Sequence, residues 1–179
     1  MFKSPNKEAM VESLIVRVDD IPLEGLELEL NVPAADLMEL LAEDGEETPV
    51  ILSPLTGSLK LRTTGKDRLS IKGGFAVTAE IFCDRCLNET PTALSSEVNE
   101  VLDLEAPGAS ANGDEESDSD GSLEVVDGKV NLSGLLGELF WLSWPWHFIC
   151  KPDCAGLCSR CGANLNEGLC GCVDGCGHS

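Results

Sequence analysis

The 179-residue chain sets 12 basic against 32 acidic side chains, a formal charge of −20, and is 42% apolar. It can therefore bury the core of an ordinary domain, while its surface repels a phosphate backbone. Five Phe, three Trp and no Tyr leave the core to Leu, Val, Ile and Ala and exclude a row of aromatics for stacking bases.

A basic protein is the better electrostatic match, with any RNA contact indirect. The plainer use of the same charge is solubility. Met1 to Met10 carries two lysines with no apolar run behind them, so no secretory leader is expected. The longest apolar stretch, Leu132 to Ile149, is broken by Ser133, Gly134, Glu138 and Pro145. A soluble, cytoplasmic protein is the expectation.

In chain order, Ser13 to Val18 reads as a strand, and Leu26 to Val32 alternates apolar with polar residues as a half-buried strand does. Pro33-Ala34-Ala35-Asp36 opens a short helix with Leu37, Met38, Leu40 and Leu41 on its apolar face, ended by Gly45 within the acidic cluster Glu43 to Glu47. Leu55 to Thr64, Leu69 to Cys83 and Thr92 to Leu104 follow as strands, divided by Gly65-Lys66-Asp67 and by Cys83-Asp84-Arg85-Cys86. In the middle strand Leu69, Ile71, Gly73, Phe75, Val77, Ala79 and Ile81 share one face, and only Ala76 and Phe82 break the alternation. The class this implies is α+β: an antiparallel meander, open or half-barrel, with one face wet, a few short helices and a cysteine-rich tail.

Gly108 to Gly121 contains nothing able to build a core and reads as a disordered acidic spacer, with phosphate mimicry as the rarer use. Leu123 to Val126 reads as a strand, and Asn131-Leu132-Ser133 leads into one helix over Leu135 to Leu142. Trp141, Trp144 and Trp146 are expected to cover the sheet and the tail, a partner surface being the alternative. The division that follows is a sheet domain over 1–149 and a cysteine-rich tail over 150–179 packed on it.

Nine cysteines carry the specific signal. Cys83 and Cys86 form one C-x-x-C, and Cys150, Cys154, Cys158, Cys161, Cys170, Cys172 and Cys176 crowd the tail. A C-x-x-C turn aims two thiols inward at the separation a tetrahedral metal needs, which points to one or two Zn²⁺. The odd count and the Cys170-Gly171-Cys172 spacing argue against a disulfide framework. Eight thiols make two sets of four: Cys158 and Cys161 with Cys170 and Cys172, and Cys83 and Cys86 with Cys150 and Cys154. A single site of Cys83, Cys86, Cys158 and Cys161 is also possible, as is Cys176 in place of Cys172.

Catalysis has little to work with. His147 and His178 are the only histidines, and no phosphate loop, serine elbow or H-E-x-x-H occurs. A thioredoxin-type site needs its C-x-x-C at a helix start, whereas Cys83 lies between two strands.

Cys83-Asp84-Arg85-Cys86-Leu87 resembles the C-x-R-C-L motif of the YceD family, the large ribosomal RNA subunit accumulation proteins. The tail from Cys154-Ala155-Gly156-Leu157-Cys158 through Cys161-Gly162 to Leu165-Asn166 is similar to that family's C-x-G-L-C-x-x-C-G-x-x-L-N pattern. The resemblance runs from about Leu14 to Cys172 and reaches individual positions at Cys83, Arg85, Cys86 and the tail cysteines. It implies a bacterial or plastid protein needed for accumulation of large-subunit ribosomal RNA, in many bacteria encoded beside a small basic large-subunit ribosomal protein. The function expected is a noncatalytic assembly factor holding a basic ribosomal protein or pre-ribosomal particle; the rival is a thiol redox or metal-handling protein.

Overall fold

The computed structural model describes residues 14–42, 48–65, 68–104, 125–126 and 128–172. The meander forms as four antiparallel strands lying side by side in chain order, β2 (Leu26–Val32), β3 (Leu55–Thr64), β4 (Arg68–Phe82) and β5 (Glu89–Asp103). β3 has the bounds expected from its pattern. β5 starts three residues earlier than Thr92, and the β4–β5 ladder runs from Arg68↔Asp103 to Phe82↔Glu89. Pro91 obscures that start, because proline forfeits a ladder donor; β5 is an edge strand, where the loss is tolerated.

Burial along β4 follows the pleat. Leu69, Ile71, Phe75, Val77, Ala79 and Ile81 are buried and Gly73 is half-buried, while Arg68, Lys72, Ala76 and Phe82 face out. Ala76 and Phe82 thus break the chemical alternation and obey the geometric one. Two helices supply the covering layer: α1 (Ala34–Leu41) and α2 (Leu132–Ser143). From α2, which packs against β5, Leu132, Leu135, Leu136, Leu139 and Phe140 join Leu37, Leu59, Leu61 and Ile71 in one core. Each such side chain contributes roughly 1.5–3 kcal/mol through removal from water.

α2 begins before Leu135 because Asn131 caps it: its Oδ1 accepts from Ser133 N at 3.0 Å and from Ser133 Oγ at 2.7 Å. A small second sheet adds β1 (Ile15–Arg17), β6 (Val125–Val126) and β7 (Lys129–Asn131) in the order β1-β7-β6. The first expected strand is shorter than Ser13 to Val18, since Val18–Asp20 turns as a 3-10 helix. The stretches Glu43 to Glu47, Lys66-Asp67 and Gly108 to Gly121, together with Leu123, Glu124, Cys176 and His178, lie outside the described residues. Among the described residues no helix is long and apolar enough to cross a membrane.

Candidate metal centres

Each C-x-x-C folds into a tight turn by its own backbone. In the β4–β5 connection the N–H of Leu87 donates to Cys83 O at 2.8 Å, and the N–H of Cys83 to Asn88 O at 3.0 Å. The tail repeats both bonds: Gly162 N–H to Cys158 O at 2.9 Å and Cys158 N–H to Ala163 O at 2.8 Å. The residue after the second cysteine is left-handed in both, Leu87 at φ 58° and Gly162 at φ 72°. Two thiols therefore point the same way from each knuckle, which leaves two ligand positions for chain arriving from elsewhere.

At the inner knuckle that chain is the segment after α2. Asp84 draws it in: Asp84 N–H donates to Phe148 O, and Phe148 N–H donates to Asp84 Oδ2, both at 2.9 Å. Cys150 and Cys154 then close the set of Cys83, Cys86, Cys150 and Cys154. Cys83 and Cys154 lie 3.8 Å apart at sulfur, and Cys86 and Cys150 3.7 Å. Four sulfurs about 2.3 Å from a common tetrahedral zinc would be roughly 3.8 Å apart, so the cage has the right size. Cys83, Cys86 and Cys154 are buried, with Phe148 packed against them.

The outer set is Cys158, Cys161, Cys170 and Cys172. Cys158 Sγ is 3.5 Å from Cys170 Sγ and 4.0 Å from Cys172 Sγ. Here only Cys158 is buried; Cys161 is exposed. Cys170 is disulfide-bonded, whereas the other seven described cysteines are free thiols. A disulfide sulfur is no thiolate, so this site offers four metal-binding thiolates only once that bond is reduced.

Asparagines join the two sites. Asn166 Nδ2 donates to Cys154 Sγ at 3.4 Å while its Oδ1 accepts from Ala155 N at 2.9 Å. Asn164 Nδ2 donates to Asn88 Oδ1 at 3.0 Å across the two knuckles. Gly156, at φ 73°, is where the tail crosses the inner knuckle, and a Cβ there would sit 3.0 Å from Arg85 O. Glycine is required both by that approach and by the left-handed backbone.

The thiols are unequal. The Cys150 N–H donating to Cys83 Sγ at 3.4 Å brings Cys83 down from 9.0 to about 6, against the opposing effect of burial. The Arg160 backbone N–H does the same for Cys158, to about 7. Burial would raise Cys154, but the Asn166 amide and the Gly156 N–H outweigh it and the net shift is downward. Burial, with Cys83 alongside, pushes Cys150 up to about 12. At Cys86 the Asn88 N–H pulls down, yet burial and Cys83 prevail and the shift is upward. The neighbouring Cys161 sulfur drives Cys172 up to about 11. In each site some thiols ionise readily and their neighbours resist, as expected where ionisable groups crowd together and titrate as a set. Both clusters could hold a metal ion.

The structure thus places eight cysteines in two groups of four, the quartets set out from the sequence, and keeps Cys158 and Cys161 out of the inner one. The tryptophans divide. Trp144 packs against the core, whereas Trp141 is 40% and Trp146 94% exposed, so covering the sheet accounts for the first and not for the last. His147, also exposed, has Nδ1 3.4 Å from Asp84 Oδ2. Asp84 and Asn166 were missed as working residues: each lies within a recognised motif, but its partner arrives only through the tertiary fold.

A family model described as large ribosomal RNA subunit accumulation protein YceD matches residues 71–177. An uncharacterised protein of Mycobacterium leprae is 28% identical over 127 residues, covering 70% of this chain and 56% of the relative. A Zea mays protein named large ribosomal RNA subunit accumulation protein YCED homolog 1, chloroplastic, is 26% identical over 127 residues, covering 58% of this chain and 43% of the relative. An uncharacterised protein of Mycobacterium tuberculosis is 30% identical over 102 residues, 54% of this chain and 47% of the relative. The chain spans about half the length of the curated relatives it matches. No solved structure matches it. The matched residues run from β4 through both cysteine quartets, and the chain belongs to the YceD family.

Proposed function

We propose that this chain is a noncatalytic factor supporting accumulation of large-subunit ribosomal RNA, and that it acts by holding a basic ribosomal protein or an assembling particle. The observation that carries the reading is the family match over residues 71–177. The formal charge of −20 supports a basic partner over naked RNA. Zinc is the ion we assign to the quartets, because all-thiolate, tetrahedral donor sets suit it. Cys83, Cys86, Cys150 and Cys154 would hold one ion, and Cys158, Cys161, Cys170 and Cys172 the other. Each such centre carries a formal −2, which deepens the acidity. A cytoplasmic site of action goes with this role.

A thiol-redox role draws support from Cys83, whose thiol is held near 6. Its burial argues against that role, since a redox thiol must be reached by its substrate. Depleting the protein should lower mature large-subunit RNA. The purified protein should retain zinc, bind basic large-subunit proteins in a salt-dependent way and bind naked ribosomal RNA weakly. Unchanged RNA levels, or tight binding to naked RNA with no affinity for any basic protein, would overturn the reading.

A further inference from the structure

At the far end of β4 a cleft of about 700 Å³ opens between the Thr48–Val50 segment, the outward side chains of the strand and the end of α2. Its apolar walls are Val50, Phe82 and Trp141, exposed by 49%, 58% and 40%, with Trp144 half-buried beside them. The wall is built rather than loose. Trp141 and Trp144 lie 5.9 Å apart at their ring centroids, and Trp144 is 5.7 Å from the fully buried Phe140. On the opposite side Glu80 N–H donates to Val50 O at 2.9 Å and Leu52 N–H to Thr78 O at 2.8 Å, so that wall is tied to β4.

Two lining residues are charged, Glu80 and Glu89, and both are acidic. Neither makes an ion pair with any described residue, and among the described residues no basic side chain lines the cleft. A concave aromatic surface edged by uncompensated carboxylates has a definite complement. A guanidinium or ammonium can lie over the electron-rich face of Trp141 and reach a carboxylate, while an adjacent apolar side chain covers Phe82 and Val50. Phosphate chains and anionic lipid headgroups are repelled by the same carboxylates. A second copy would bring another −20 of charge to the contact.

We propose that this cleft docks an extended segment of a basic partner protein in which arginine or lysine alternates with apolar residues. The assignment deepens the role proposed above and rests on it for the partner's biological identity. The aromatic residues supply affinity, and the carboxylates supply the preference for basic segments and the rate of encounter. Because the walls are already fixed by hydrogen bonds and ring packing, little ordering is needed on binding.

The test titrates the 179-residue chain, supplied with zinc, with a short synthetic peptide alternating arginine with leucine, read by tryptophan fluorescence and calorimetry, with a glutamate–leucine peptide as control. Basic large-subunit ribosomal proteins are captured in parallel. The arginine peptide should bind, and Phe82→Ala or Trp141→Ala should weaken it about tenfold or more. Glu80→Gln with Glu89→Gln, near-isosteric and not expected to disturb folding, should weaken it about tenfold at low salt and flatten the salt dependence. Leu142→Ala, 72% exposed and outside the cleft, should change nothing. If Trp141→Ala unfolds, Trp141→Phe and the double glutamine variant still decide.

Large-subunit proteins captured equally by wild type and cleft variants would overturn the cleft and leave the ribosomal role standing. Peptide binding through the cleft with no capture of any large-subunit protein would do the reverse. Wild-type self-association lost in Phe82→Ala, or binding to anionic lipid vesicles through these residues, would also overturn the assignment.

Discussion

Cys83–Asn88 and Cys158–Ala163 are one turn built twice, with an arginine before the second cysteine and a left-handed residue after it. Their surroundings differ. The inner sulfurs meet across 71 and 64 residues of chain, the outer ones across 14 and 12. An ion in the inner quartet would therefore pin the segment after α2 to the end of the β-sheet, in a site that is mostly buried. One in the outer quartet would organise only its own loop. The same local geometry serves global or local stability according to where the other two ligands originate.

The largest test of that contrast removes ligands. In the reduced protein, Cys83→Ser with Cys86→Ser should halve the zinc content and lower the melting temperature by about 10 °C or more, because binding energy there is folding energy. Cys161→Ser with Cys172→Ser should also remove one equivalent but shift the melt by less than about 3 °C. Elemental analysis and calorimetry check both arms. Equal melting shifts would break the contrast.

A smaller step sharpens it. Because Cys170 is disulfide-bonded while the inner thiols are free, oxidised protein should hold one zinc and take up a second after reduction. Two equivalents without any reductant would show that the outer quartet does not depend on that bond.

What was legible in the sequence follows the same division between local and distant causes. The alternation through Leu69, Ile71, Phe75, Val77, Ala79 and Ile81 marked β4 because half-burial imposes period two, and each C-x-x-C marked a knuckle because the turn is local. β7, of three residues, is too short for any period to register, and β1 showed only through the β-branched, apolar run of Ser13 to Val18, whose end turns as a 3-10 helix. Spacing alone left the grouping of cysteines open, since loops of very different length close at similar entropic cost. Asp84 and Asn166 look like ordinary polar turn residues until the fold brings Phe148 and Cys154 beside them. The cleft was invisible for a related reason: Phe82 read as an exception to the pleat, and nothing local tied it to Trp141.

Acidity separates the sites further. In the metal-free, reduced protein Cys83 stays ionised down to about pH 6, whereas an ordinary thiol protonates below 9.0. The unfolded chain binds the proton first, so this contribution is complete above pH 9 and is lost as pH falls through 6. Cys150, pushed up to about 12, has the opposite sign: above pH 9 the unfolded chain ionises it more readily, and stability declines. The melting temperature of chelated protein should rise from pH 6 to 9 and fall beyond, with the lower limb flattened in Cys83→Ser. Cys158, brought down to about 7, should leave the global melt unmoved if the outer loop opens alone. A limb that survives in Cys83→Ser and vanishes in Cys158→Ser would reverse the assignment of the two sites.

The finest difference between the knuckles is one side chain. Gly162 occupies the left-handed position in the outer turn, and Leu87 occupies it in the inner one, at a backbone cost of roughly 1–2 kcal/mol for a residue with a Cβ. Leu87 is 60% exposed, so truncation sacrifices little burial. Leu87→Gly removes the strain but frees the unfolded chain, which returns about 0.4–1 kcal/mol to the unfolded state. The balance is a gain of about 0.5–1 kcal/mol, a rise of roughly 2 °C in the melt with zinc content unchanged. A Cβ at Gly162 would meet no atom within 4 Å, and Gly162→Leu should carry the reverse backbone cost, confined to the outer loop. Calorimetry and hydrogen exchange on both variants separate the global effect from the local one. If Leu87→Gly lowers the melt, the leucine contributes contacts worth more than its strain, and the inner knuckle is held by packing as well as by its sulfurs.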